Sequence, residues 1–174
     1  MQAKRSLRYK NINHTNQPRR GKTKKHIMSH VHSYHHIIIR TKNSTNSLQL
    51  DQSHRLYSYI RAIVHNKKCE LHCINGIENH IHLLVNLHQD VPLSYLVRDI
   101  KAESSKFIKN TLLNRQFISW SEKYFAVSCS LDDRDRIKAY IDNQREHHKK
   151  IPFKTELEEI AKSLGIVLDP RDWE

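Results

Sequence analysis

Apolar residues in the first half of the chain follow a period of two in some stretches and a helical period in others. The β-branched run 37–39 predicts a strand within residues 29–42. Apolar residues at helical spacing predict a helix over 52–68. Residues 69–87 then predict two short strands joined around Gly76, which is the pattern of a β-hairpin.

The second half predicts further elements of both kinds. Apolar spacing predicts three helices, over 93–113, 131–150 and 154–165, and the segments 117–120 and 123–130 are extended. The predicted order is therefore β-α-β-β-α-β-α-α. This order is typical of an α+β fold, a ferredoxin-like (RRM-like) antiparallel sheet with helices packed on it. Because many RNA-recognition modules share that layout, the fold alone does not decide the function.

The composition is that of a soluble globular protein. A length of 174 residues fits one domain with a core of its own, and 37% of the residues are hydrophobic. No apolar run approaches the ~20 residues of a membrane span, and we expect neither a secretory signal nor a membrane partner. The three cysteines favour a reducing, bacterial cytoplasm, near the nucleoid.

The net charge of +12 comes mainly from one end of the chain. Residues 1–27 contain nine Lys and Arg and no acidic residue, which leaves only +3 for residues 28–174. Such a segment is typical of a disordered tail that binds phosphate backbones without sequence preference. It is equally well explained as upstream sequence, with Met28 as the true start of the domain. The overall charge is therefore no argument for a nucleic-acid partner.

Two histidines one residue apart, His80 and His82, lie inside the apolar run of the second hairpin strand. On a strand they point to the same face, about 6.6 Å apart along the chain, and Ile81 and Leu83 point to the other face. Two imidazoles so placed can bind one metal ion. With 14 histidines in the chain, roughly one His-x-His pair arises by chance, so from the pair alone a pair of hydrogen-bonded surface histidines is the simpler explanation.

Tyr140 and Gln144 form a second candidate pair on the predicted helix 131–150. Residues four apart lie on one face of a helix. A tyrosine offers a phenolic oxygen that can act as a nucleophile, and a glutamine offers a neutral oxygen that can bind a hard metal ion. A core tyrosine beside a surface glutamine would have the same spacing.

Other polar residues are weaker candidates. His147 and His148 lie in the last turn of the predicted helix, where they are either structural or in contact with phosphate. Cys69, His72 and Cys73 suggest zinc, but on a strand the histidine faces away from both cysteines.

Five segments together resemble the single-tyrosine transposases of the HUH endonuclease superfamily, which include the small transposases of single-strand insertion sequences and the REP-associated tyrosine transposases. The segments occur in the family's order and spacing across residues 28–174: GIENHIHLLVNL, IKAESSKFIK, YFAVSCS, IKAYIDNQREHH and FKTELEEIAKSLGI. The family commonly has Asp where this chain has Asn79, although Asn is similar to the REP-associated branch. Glu78 could supply the missing carboxylate. The family's glycines before its last strand are absent here.

The resemblance implies a DNA transposase that nicks and rejoins single-stranded DNA at hairpins through a 5′-phosphotyrosine. It implies Tyr140 as the nucleophile, with His80, His82 and Gln144 as ligands of Mg²⁺ or Mn²⁺. It also implies a homodimer, in which the tyrosine helix of one subunit can serve the histidines of the other. The helix that resembles a DNA-proximal helix of the family carries the weaker candidates for DNA contacts, which are Arg98, Lys101, Ser104, Ser105 and Lys106.

Two other functions fit the same sequence. One is a non-catalytic nucleic-acid-binding module, which would stack bases on exposed sheet aromatics, although few beyond Tyr124 and Phe125 are available. The other is an HUH-type replication initiator, but the chain length and the lack of a helicase region favour a transposase.

Overall fold

The structure, a computed structural model, describes residues 31–112 and 114–169. In this part of the chain, four strands form one antiparallel sheet in the order β2-β3-β1-β4. The strands are β1 (Tyr34–Arg40), β2 (Glu70–Ile77), β3 (His80–Asn86) and β4 (Phe125–Cys129). The helices are α1 (Ser53–Asn66), α2 (Leu93–Asn110), α3 (Arg134–Asp142), α4 (Gln144–His147) and α5 (Phe153–Ser163). The ferredoxin-like fold class is therefore confirmed, and the predicted element order matches except that α3 and α4 replace the single predicted helix 131–150.

The two central strands are buried on both faces, and the residues of each strand alternate between the faces. Ile37 pairs with Leu83 and Ile39 with Ile81, so these side chains lie on one face, where α1 and α2 cover them. This face, which we call the apolar face, contains the main hydrophobic core. Aliphatic side chains dominate it because β-branched and large residues pack well on a pleated surface.

The opposite face has a different character. Its central residues are His36, Ile38, His80, His82 and Leu84, and the chain from α3 to α5 covers them. We call it the histidine face. Among the described residues, the apolar clusters under the covering helices are small here, one around Ile141 of α3 and one around Phe153 and Leu157 of α5.

The hairpin of β2 and β3 differs from the prediction in its turn. The chain reverses at Glu78 and Asn79, and Gly76 lies inside β2, opposite Ile81. A side chain at Gly76 would collide with the carbonyl oxygen of His80. The glycine therefore marks a close approach of the two backbones rather than the turn, and the predicted position of the turn was wrong.

The predicted single helix 131–150 is also wrong in part. The structure ends α3 at Asp142, leaves the helix at Asn143 (φ −93°, ψ 10°) and begins the short α4 at Gln144. Asn75 of β2 accounts for the position of this break. Its side-chain amide donates hydrogen bonds to the carbonyl oxygens of Ile141 (3.0 Å) and Asp142 (2.9 Å), which lie in the last turn of α3.

Among the described residues, none of the helices combines the length and the apolar character needed to cross a membrane. The basic segment 1–27 lies outside the described residues, so the prediction of a tail stays a prediction.

Candidate active site

His80 and His82 lie side by side on the histidine face, and neither has any exposed surface. Their ring centroids are 4.9 Å apart. Ile81 and Leu83 face the opposite core, as the alternation of a strand predicts. The alternative of a surface histidine pair is therefore wrong, because both imidazoles are enclosed.

Each imidazole is held through its Nδ1 atom. The Nδ1–H of His80 donates to Oδ1 of Asn79 at 2.7 Å, and Nδ1 of His82 is hydrogen-bonded to Nε2 of His36 at 2.9 Å. A hydrogen bond at one ring nitrogen fixes the orientation of the ring and directs the other nitrogen. Both Nε2 atoms consequently point into the space under α4 and α5.

Glu156 of α5 enters that space from the opposite side. It is 1% exposed, and its Oε2 lies 3.7 Å from Nε2 of His80, 3.7 Å from Nε2 of His82 and 3.0 Å from Nε2 of His148. One ligand atom from each of these four residues falls within 4.8 Å of all the others. The carboxylate beside the histidine pair thus comes from Glu156, and Glu78 is not part of this cluster.

This cluster fits a divalent metal ion. Nε2 of His80, His82 and His148, Oε2 of Glu156 and Oε1 of Gln144 are buried without a hydrogen-bond partner. Leaving so many buried polar atoms unpaired in one place is costly unless another group binds them. Ligand atoms that share one ion at about 2.1 Å lie roughly 3–4 Å from one another. The distances from Glu156 Oε2 to the three imidazole nitrogens, 3.0–3.7 Å, fall in this range.

Tyr140 reaches the same carboxylate from the end of α3. Its hydroxyl donates to Oε1 of Glu156, and the amide nitrogen of Gln144 donates to the same oxygen at 3.0 Å. The break at Asn143 keeps both residues beside Glu156, with Gln144 completely buried and Tyr140 half-buried. The phenolic oxygen and the histidine nitrogens therefore lie on the two sides of one carboxylate.

The charges in the site follow from burial and from these contacts. Burial lowers the pKa of His80 and of His82, so both rings are neutral and able to bind a metal at neutral pH. Burial alone would raise the pKa of Glu156, but the close contacts of the carboxylate with His148 and His82 and the hydrogen bond from Tyr140 lower it, so the carboxylate is charged. Burial, together with the charge of Glu156, raises the pKa of Tyr140.

A cavity of about 430 Å³ opens beside Tyr140, between β4, α3 and α5. Its wall includes His36, Tyr140, His147 and Glu156, and Arg136 lies one helical turn before the tyrosine. A cavity of this size admits a nucleotide-sized group next to the phenolic oxygen. Arg136 is largely exposed at the rim, where its guanidinium donates to Asp133 at 2.7 Å.

The predicted DNA contacts do not lie together. Arg98, Lys101 and Ser105 line a shallow cavity of about 480 Å³ with Tyr124 and Trp120. Lys101 Nζ donates there to the carbonyl oxygen of Glu122.

Two of the predicted contacts have other partners. Ser104 is buried and bonds to Trp120 Nε1 at 2.8 Å, so it is part of the core of the domain. Lys106 pairs with Glu103 on an exposed part of α2.

Four residues of the site were not assigned by the sequence analysis. The sequence predicts a structural or phosphate-contacting role for His148, and it predicts no role for Glu156, His36 or Asn75. Glu156 did carry a signal: it lies among Phe153, Leu157 and Ala161 on the buried side of an amphipathic helix. An acidic residue at such a position is costly unless it has a partner, and it therefore marks a functional candidate.

Comparisons with known proteins show the family and the fold of this chain. The family model described as "Transposase IS200 like" matches residues 29–144, about two thirds of the chain. A solved candidate transposase of Deinococcus radiodurans R1 is similar in fold (TM-score 0.52, 21% identity, 69% of this chain and 97% of that one). A REP-associated tyrosine transposase solved with a REP hairpin is also similar (TM-score 0.54, 14% identity, 74% of this chain and 76% of that one). A search of curated proteins finds no match.

Proposed function

This chain belongs to the IS200-like transposase family, and on that premise we propose that it nicks and rejoins single-stranded DNA at or near hairpins through Tyr140. The observation that carries the proposal is the meeting of a tyrosine hydroxyl and two buried histidine nitrogens at one carboxylate, Glu156. A phenol beside a candidate metal site supports phosphodiester transesterification, because the phenol can act as the nucleophile and a metal can stabilise charge on the phosphate.

In the proposed reaction, the phenolic oxygen of Tyr140 attacks the phosphorus of a DNA phosphodiester. The new bond is a 5′-phosphotyrosine, and the bond to the 3′ oxygen breaks. The tyrosine proton passes to a neighbouring base. The candidate for this base is Oε1 of Glu156, which accepts the hydrogen bond of the tyrosine hydroxyl. The leaving 3′ oxygen takes up a proton. A 3′-hydroxyl can then attack the phosphotyrosine and rejoin the strands without ATP, because the energy of the phosphodiester is retained.

His80, His82 and Gln144 are the proposed ligands of a divalent metal, Mg²⁺ or Mn²⁺. When bound, such an ion neutralises charge on the phosphate and orients the scissile bond. Asn79 and His36 hold the two rings in place for this role. A free tyrosine, with a pKa of about 10, is only about 0.1% ionised at pH 7, so the nucleophile needs this help.

The proposed DNA path uses the exposed side of α2. Arg98 and Lys101 offer cations there, and Arg98 lies over the ring of Tyr95, which is 56% exposed. An exposed aromatic ring with a cation above it is suited to stacking and phosphate contact with unpaired bases. The hairpin bound by the solved REP-associated transposase belongs to that protein, and it supports a hairpin as the ligand to test here.

A non-catalytic RNA-recognition module finds less support. Such modules stack bases on an exposed sheet face. Here helices cover both faces of the central strands, and His36, Ile37, Ile38 and Ile39 of β1 are all buried.

The test is a covalent-adduct assay with hairpin oligonucleotides and Mg²⁺ or Mn²⁺, read on a denaturing protein gel. Wild type is expected to form a protein–DNA adduct, and Tyr140→Phe is expected to form none. An adduct that persists in Tyr140→Phe would refute the nucleophile. Cleavage without any adduct would point instead to hydrolysis by a metal-bound water.

The same assay tests how the site is assembled. Tyr140 meets the histidines of its own chain, which supports a site within one subunit, and the predicted homodimer can be tested with mixed variants. We expect a mixture of His80→Ala and Tyr140→Phe subunits to stay inactive. Recovery of adduct in the mixture would show a composite site, since one active site would then combine two intact residues.

A further inference from the structure

Two members of the metal cluster, His148 and Glu156, lie beyond residues 29–144, the part that the family model matches. We infer that His148 and Glu156 join His80 and His82 as metal ligands, with Gln144 Oε1 as a further donor, and that this set takes a first-row transition-metal ion in preference to Mg²⁺. The inference deepens the proposed function. It rests on that function only for the role of the metal in the reaction of Tyr140 with DNA, and not for metal binding itself.

The geometry of the four groups supports a shared ion. Oε2 of Glu156 is 3.0–3.7 Å from the Nε2 atoms of the three histidines. None of these four atoms has a hydrogen-bond partner, and all are buried. The groups come from different elements: β3 provides two, the end of α4 provides one and α5 provides one. Their convergence is thus a property of the tertiary fold and not of a local turn.

The two oxygens of Glu156 have separate partners. Oε1 accepts the hydroxyl of Tyr140 and the amide of Gln144, whereas Oε2 faces the three imidazoles. The carboxylate can therefore bind a metal through Oε2 while Oε1 keeps the tyrosine in place. Gln144 orients the carboxylate, and its own unpaired Oε1 remains as a further donor.

The donor set decides the kind of ion. Mg²⁺ prefers oxygen ligands and keeps several waters, whereas imidazole nitrogens suit zinc, iron, copper and nickel, with Mn²⁺ between these groups. Three imidazoles and one carboxylate form a nitrogen-rich set. The general order of affinities places Mn²⁺ below Zn²⁺ at such a site.

Metal binding would also fasten α5 to the sheet. Phe153 stacks on the ring of His80 with centroids 4.1 Å apart, and Leu157 packs beside it against Ile38. This apolar cluster is small, and the ion would add a direct link between β3 and α5. A ligand that binds only the folded state raises its stability in proportion to the logarithm of the ligand concentration.

The experiment is calorimetric titration of the chelator-treated full chain with Mn²⁺, Zn²⁺ and Mg²⁺, each as the metal alone, with melting curves alongside. We expect one equivalent of Mn²⁺ bound at least about 100-fold more tightly than Mg²⁺, and Zn²⁺ more tightly still. Mn²⁺ should raise the melting temperature by several degrees. Mg²⁺ affinity within tenfold of that of Mn²⁺ would overturn the ion class.

Variants test the ligand set. Glu156→Gln and His148→Ala should each weaken Mn²⁺ binding by about 100-fold or more, above the 10–100-fold that is usual for groups that only orient a ligand. Glu158→Gln is the matched control, because it removes the same charge from an exposed position of the same helix. A folded Glu156→Gln or His148→Ala with the wild-type Mn²⁺ affinity would remove that residue from the site. If neither variant folds, the relative affinities of wild type for Mn²⁺, Zn²⁺ and Mg²⁺ decide whether the nitrogen-rich ligand set is correct.

The two proposals fail separately. Loss of the adduct with normal Mn²⁺ binding would refute the transesterase and keep the four-ligand site. Adduct formation together with equal affinity for Mg²⁺ and Mn²⁺ would keep the transesterase and refute the preference for a transition-metal ion.

Discussion

The two faces of the sheet are built from the same four strands and differ in what they bury. The apolar face encloses Ile37, Ile39, Ile81 and Leu83 under two long helices. The histidine face encloses a carboxylate, an amide and several imidazoles under shorter helices, with only small apolar clusters beside them. Because successive strand residues face opposite ways, each strand contributes to both environments at every second position.

The comparison shows how the stability and the chemistry of this domain are divided. Burial of aliphatic side chains stabilises the fold by about 25 cal/mol per Å² of apolar surface, and the apolar face provides most of it. Burial of polar atoms without partners costs free energy, and on the histidine face five such atoms point to one place. One face can tolerate the strain of an incomplete polar cluster because the other face holds the sheet together.

The largest expected effect comes from His82→Ala, on the histidine face. Removing a proposed metal ligand should lower the rate of adduct formation by at least about 1,000-fold, since a metal contributes several kcal/mol to the stabilisation of the transition state. The measurement is the initial rate on a hairpin oligonucleotide with Mn²⁺, corrected for the folded fraction. A rate within tenfold of wild type would mean that His82 has no part in the chemistry.

The neighbouring substitution Leu83→Ala tests the apolar face. Leu83 is completely buried in the main core, so its truncation should lower the free energy of unfolding by about 2–5 kcal/mol. The measurement is urea unfolding, with the adduct rate followed at a temperature where the variant is folded. We expect that rate to be close to wild type. A stability loss below about 1 kcal/mol, or a lost adduct rate in folded protein, would contradict the division between the faces.

The third prediction concerns pH and the metal-free protein. Burial lowers the pKa of His36 to about 3, from 6.5 in the unfolded chain, because charging the ring under α3 and α5 is unfavourable. Between these values the unfolded state binds more protons, so this stabilisation is complete above pH 6.5 and is lost as the pH falls toward 3. At pH 5 the loss from His36 alone is about 2 kcal/mol.

Urea unfolding at pH 7.5 and 5.0 measures this loss, with His36→Gln as the comparison. The variant should show a smaller difference in the free energy of unfolding between the two pH values. The difference should not vanish, because the lowered pKa values of His80 and His82 also make the protein less stable at the lower pH. An equal difference in both proteins would mean that His36 takes no part.

Much of the fold could be predicted from the sequence because its signals are local. The isoleucine run of β1 and the alternation through His80 and His82 specify strands and faces by short-range pattern alone. Gly76 misled the prediction of the turn, because a glycine that lets two backbones approach looks in sequence like one that lets a chain reverse. The break at Asn143 depends on Asn75, 68 positions earlier, and no local pattern contains that information.

The candidate site was predictable only in part, for a similar reason. His80, His82, Tyr140 and Gln144 came from short motifs and from a family resemblance. Glu156 lies 74 positions after His82, and its role depends on how α5 packs across the sheet. Its position on the apolar side of a helix was a readable signal, but the partner that makes its burial tolerable could only come from the tertiary structure.

The smallest expected effect is that of Asn79→Asp, which asks whether the histidine face depends on a charge at this position. Asn79 Oδ1 already accepts the Nδ1–H of His80, which is the contact that directs Nε2 toward the cluster. A carboxylate would make the same contact and increase the basicity of the ring slightly, from a position that is partly open to solvent. We therefore expect Mn²⁺ affinity to rise by less than tenfold, whereas Asn79→Ala, which removes the acceptor, should lower it by about 10–100-fold.

Calorimetric titration of wild type and the two variants with Mn²⁺ measures the order of their affinities. A fall in affinity with Asp, or no fall with Ala, would mean that the ring of His80 is oriented by its packing on Phe153 and not by residue 79.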